Sequence, residues 1–118
     1  MWEGHLGDTP VFQFYDLFAD GRIVPVGDRV NTARDAGHGK KEKMAAVLAL
    51  VEEAQVLVAA RMSPNFERIA RTTRVQPVVV SSPDLTYALQ RLCGAYPALS
   101  AAVLARLRGD EPGPVFTL

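Results

Sequence analysis

The sequence predicts an α/β domain of three layers, with helices on both faces of a mixed sheet. Two observations carry this. An aromatic and β-branched segment at residues 11–18 is followed by Asp20-Gly21 and a second apolar segment at 23–30, the pattern of a hairpin. Beyond it, short apolar runs alternate with amphipathic stretches, two of them opening on Ser-Pro, the pattern of strands joined by helices.

In the hairpin, Phe12, Phe14 and Leu17 fit no helical stripe, and Gly21 can take the positive φ of a tight turn. Pro25 and Gly27 push the second strand toward a sheet edge or a bulge. Residues 31–41 are polar and glycine-bearing, a long loop of the kind that carries function. Met44, Val47, Leu48 and Val51 then recur at helical spacing, predicting a helix from near Lys41. Residues 55–60 form a short apolar run typical of a strand covered on both faces. Ser63 as N-cap and Pro64 at the first helical position open the next helix, with Phe66, Ile69 and Ala70 inward.

Residues 75–80 are a second buried strand, with Pro77 an awkward member. Ser82-Pro83 repeats the helix-opening pair, and Leu85, Leu89 and Leu92 carry the stripe until Gly94. Pro97 starts a last helix whose face is Leu99, Ala102, Val103 and Leu107. Residues 1–109 are therefore expected as one domain and 110–118, with Pro112 and Pro114, as a flexible tail.

The 118 residues carry 13 Lys+Arg and 13 Asp+Glu, a balance that argues against nucleic acid as a partner. One cysteine excludes an internal disulfide framework and a zinc site of several thiolates, and suits a reducing, cytoplasmic setting. No apolar run approaches the ~20 residues that span a bilayer, so no membrane partner is expected. No dinucleotide fingerprint, catalytic triad or carboxylate pair is visible, so neither an enzyme nor a nucleotide cofactor is expected.

Chemistry is concentrated in a few residues. His5 and His38 are each flanked by glycines, which let a ligand approach and leave the imidazole open to a metal or an anion. Two exposed loop histidines without a role are the competing reading. Arg29, Arg34 and Lys40 crowd the His38 loop, a local basic surplus suited to an anion or simply a solvated face. Gly37-His38-Gly39-Lys40 lacks the spacing and the following Ser/Thr of a P-loop. Arg61 and Met62 stand where a buried strand gives way to a helix, the preferred ligand crevice of open α/β sheets. Met62 offers a soft thioether or plain packing, and Cys93 reads as a buried small hydrophobe.

The run Gly4-His5-Leu6-Gly7-Asp8-Thr9-Pro10-Val11-Phe12-Gln13-Phe14-Tyr15-Asp16 resembles the opening of the dinitrogenase iron–molybdenum cofactor biosynthesis family. The likeness continues through Arg29-Val30-Asn31, Gly37-His38-Gly39, the strand ending at Arg61, residues 75–80 and the helix from Asp84-Leu85 to Leu92. Leu6 stands where the family has Phe, and Arg61-Met62-Ser63-Pro64 where an Ile-Gly-Pro type sequence is common. The resemblance implies a ribonuclease H-like motif with a mixed five-stranded sheet. Its first strand is expected to be missing or replaced, because only Met1-Trp2-Glu3 precede Gly4.

It also implies non-catalytic binding, carriage or storage of a metal–sulfur cluster of Fe–Mo–S or Mo–Cu–S type, in the service of nitrogen fixation. His5 is the implied ligand, His38 matches a second loop histidine, and assembly or acceptor proteins are the implied partners. A metal-free regulatory or interaction module on the same fold is the competing class. With the first strand gone, the edge beside the two buried strands needs a cover. A partner chain (a second copy in a homodimer among them), the tail at 115–118, or a rearranged strand order would each supply one.

Overall fold

A computed structural model describes Met1, residues 9–35 and residues 40–118. The expected hairpin is present. Strand β1 (Val11–Leu17) pairs antiparallel with β2 (Ile23–Val30), and the register slips between Phe14 and Tyr15 opposite the Pro25–Gly27 stretch. Gly21 has φ 91°, and Asp20 fixes the turn by accepting from the Arg22 backbone N–H at 3.0 Å. A short 3-10 turn (Thr32–Asp35) leads to α1 (Lys40–Leu50).

Strand β3 (Val56–Ala59), helix α2 (Pro64–Thr72) and strand β4 (Gln76–Val79) follow, then α3 (Leu85–Gly94), α4 (Tyr96–Leu107) and β5 (Phe116–Thr117). The strands are shared between two sheets among the described residues: the hairpin, and a parallel sheet in the order β3-β4-β5. This corrects the expectation of one mixed five-stranded sheet. The hairpin reaches the rest of the protein by side-chain packing, through Phe12 and Phe14 on one side and Leu17 on the other.

Alternation along the strands makes the three layers. Leu57 and Val79 point to a cluster with Val47 and Val51 of α1 and Phe66 and Ile69 of α2. Val78 and Val80 point the opposite way, to Ala88 and Leu92 of α3 and Leu99 of α4. Two helices therefore cover each face of the parallel sheet.

Pro77 is tolerated inside β4 for a specific reason. Gln76 and Val80 donate their backbone N–H groups to Gln55 and Ala59 on the β3 side. The N position of Pro77, one residue out of phase, faces the other edge, where pairing with β5 begins only at Val78.

That edge is also where the end of the expected tail is taken up. Phe116 and Thr117 pair with Val78 and Val79, and the Leu118 N–H donates to the Val79 carbonyl at 2.8 Å. Unpaired β4 groups and the apolar Val115, Phe116 and Leu118 hold the segment in place. Two helix details differ from the sequence reading as well. Asp84, not Ser82, caps α3, accepting from Tyr87 N–H at 3.0 Å, while Ser82 Oγ accepts from Asp84 N–H. On α4 the buried positions are Leu99 and Arg106, and Leu107 is 52% exposed. Residue 106 lies seven after 99 and so returns to the same face, whereas 107 falls about 80° away.

Candidate functional site

Parallel strands joined by helices leave a crevice where the chain passes from a strand's carboxyl end into the next helix. Here β3 and β4 end side by side, and a cleft of about 290 Å³ is lined by Ala60, Arg61, Ser81, Ser82 and Pro83. Arg61 is exposed, and Met62 beside it is 47% exposed. Both helices that leave these strands start near this end. Ser63 caps α2 by accepting from Phe66 N–H at 3.3 Å, and Asp84 caps α3.

The electrostatics follow from those starts. A helix N-terminus carries partial positive charge and N–H groups without intrahelical partners. Pro64 removes one such donor from α2, and the Asp84 carboxylate offsets part of the charge at α3. Arg61 supplies the full positive charge, and the hydroxyls of Ser81 and Ser82 add donors. The cleft suits an anion with several acceptor atoms.

Arg61 and Met62 are thus where the sequence placed them. Arg29 donates to the Leu50 carbonyl at the end of α1, pairs with Glu53, and lies 5.0 Å from the centre of the Phe14 ring. The Glu53 hydrogen bond holds the Arg29 pKa above its ordinary value and the Glu53 pKa below its own. Arg29 therefore helps to close the last turn of α1. Arg34 falls in the 3-10 turn and Lys40 opens α1, with both side chains outside the described part. His5 and His38 lie outside the described residues.

Sequence reasoning reads Ser82 only as part of a helix start and passes over Ser81. Their signal was available: they follow a fully buried strand at its carboxyl end. Cys93 sits at the far end of α3, about 12 Å of helix rise from Leu85, with Sγ 3.9 Å from the Gly21 carbonyl of the hairpin turn. It is half-buried and belongs to that packing.

Among known proteins, a family model described as dinitrogenase iron-molybdenum cofactor matches residues 1–94. No curated protein and no solved structure matches the chain.

Proposed function

Since the chain belongs to the dinitrogenase iron-molybdenum cofactor family, we propose that it binds an iron–molybdenum–sulfur cluster or its precursor as cargo, without catalysis, and carries or stores it. The observation that most supports this reading is the cleft at the carboxyl ends of β3 and β4, where Arg61, Ser81 and Ser82 meet the starts of α2 and α3. A metal–sulfide cluster is anionic, with sulfur and oxygen acceptors on its surface. Arg61 would pair with its charge, the serine hydroxyls would donate to it, and the Met62 thioether offers a soft contact.

A chain with one cysteine, placed at the far end of α3, cannot enclose a cluster in its own thiolates. The hold would rest on exposed charges, hydrogen bonds and imidazole ligation by His5, with His38 as the second candidate. Such contacts release as readily as they form, which suits a carrier whose cargo must move on. Arg34 and Lys40 flank the His38 loop in sequence and belong to the same proposal.

The test is titration of metal-free protein with a synthetic molybdenum–iron–sulfide cluster, followed by desalting, visible absorption and metal analysis. Wild type is expected to retain cluster absorption, and His5→Ala to lose most of it. Metal that passes entirely into the low-molecular-weight fraction would remove the reading.

A further inference from the structure

The protein is neutral as a whole, yet its positive charge is unevenly placed. Residues 61–74 contain Arg61, Arg68, Arg71 and Arg74 against the single acid Glu67. Helix α2 buries Phe66, Ile69 and Ala70, and turns Arg68 and Arg71 outward, with exposed Arg74 just beyond its end. Spacing of three residues puts Arg68 and Arg71 on one side of the helix, and Arg74, past its end, lines the same groove as Arg71. No carboxylate pairs with any of the three among the described residues.

Beside them lies a groove of about 300 Å³, lined by Arg71, Arg74, Arg106 and Asp110 together with Thr72 and Thr73. Asp110 is already paired, its carboxylate 2.9 Å from Arg108 Nη2. Arg106 forms the floor and is 4% exposed. Its guanidinium donates to Gln76 Oε1 and to the carbonyls of Ala70, Thr73 and Gly113, all within 3.1 Å. These acceptors satisfy four of its five N–H groups but bring no full negative charge. A buried cation whose neighbours are only dipoles leaves a positive potential in the groove above it.

We propose that this face docks an acidic polypeptide segment of a partner protein, which lays its carboxylates along Arg68, Arg71 and Arg74 with one entering the groove over Arg106. Charge complementarity selects the occupant: separate cations spaced along a helix match a chain of carboxylates better than one compact anion. The opposite end of α2, about 12 Å away by helix rise, opens on the cleft at Arg61. A partner seated on α2 would therefore stand next to that cleft. The docking itself requires no cluster, so it stands or falls apart from the cargo reading.

The experiment uses the metal-free full chain and a decaglutamate peptide, with binding measured by calorimetry at low salt and again at physiological salt. Arg71→Glu with Arg74→Glu is compared with Arg22→Glu with Arg91→Glu, which changes net charge equally on exposed residues elsewhere. Circular dichroism checks that both variants fold. The expected result is peptide binding that weakens with salt, falls at least tenfold in the first variant and changes less than twofold in the second. Equal losses in both variants would overturn the proposal, as would wild-type binding too weak to saturate. Tighter binding of a poly-dT oligonucleotide than of the peptide, or full competition by equimolar inorganic phosphate, would overturn it too.

Discussion

Arg106 and Gln76 are joined inside the protein, the guanidinium Nε donating to the amide Oε1 at 2.9 Å. Gln76 in turn donates to the carbonyls of Pro77 and Pro114, and Arg106 to that of Gly113. These two buried polar side chains thereby anchor the segment that runs into β5. Burial lowers the Arg106 pKa from its ordinary value, but an arginine remains charged, so the network must satisfy a cation rather than a neutral group.

Arg106→Met should cost about 3–5 kcal/mol, because it orphans the Gln76 amide oxygen and three carbonyls at once. Gln76→Leu should cost about 1–3 kcal/mol, the guanidinium keeping its other acceptors. The double variant should cost little more than Arg106→Met alone, since the partner of Gln76 is already gone. Urea unfolding of the four proteins gives the cycle; strictly additive costs would contradict a shared network.

Phe116→Ala should destabilise the protein by roughly 2 kcal/mol, less than a fully buried Phe because the side chain is half-buried. Amide exchange at Val79, whose N–H faces the β5 side, should accelerate in this variant, while exchange at Val80, bonded to Ala59, should change far less. Uniform acceleration at both positions would mean that β5 acts only through global stability.

Glu53 has its pKa depressed in the folded protein by the Arg29 hydrogen bond. A carboxylate held below its ordinary value of 4.5 contributes stability that is fully present above that value and lost as pH falls through the lower, folded pKa. The wild type should therefore lose a small increment of stability in that acid window that Glu53→Gln does not lose. The pair is exposed, so the increment is small and shrinks with added salt. Thermal unfolding of both proteins on either side of pH 4.5 checks the sign. Because Arg29 is occupied here, Arg29→Gln should leave cluster retention unchanged.

Ser63→Ala should cost about 1 kcal/mol, the usual value of a lost N-cap. The change removes the side-chain acceptor of Phe66 N–H at the edge of the cleft and leaves it the Ser63 carbonyl at 3.1 Å. Ser63→Asp should restore most of the stability by capping through a carboxylate, and chemical denaturation of the pair measures both effects.

Much of the fold was legible wherever local chemistry decides local structure. Asp20-Gly21 specified the hairpin turn, and Ser63-Pro64 specified the start of α2 together with its buried face. What escaped was decided by distant partners. A charged residue reads as surface, so nothing local marks Arg106 as core apart from its position seven residues after Leu99. The two-residue β5 exists because β4 offers it an edge. How strands are shared between sheets depends on neighbours that alternation does not reveal. At the cleft, the place of Arg61 and Met62 between strand and helix was legible, while the pairing of Arg29 with Glu53 and the end of α1 had no local signal.

If the cleft between the ends of β3 and β4 holds the cargo, filling it must expel the cargo. Ser81 is exposed in the cleft lining, so Ser81→Trp would fill the space with an indole without disturbing the buried residues of β4. Wild type and variant are loaded with the same synthetic molybdenum–iron–sulfide cluster, desalted, and analysed for molybdenum per chain. Retention in the cleft should give near one cluster per wild-type chain and a loss of at least tenfold in a variant whose unfolding midpoint is unchanged. Equal retention in both would contradict it.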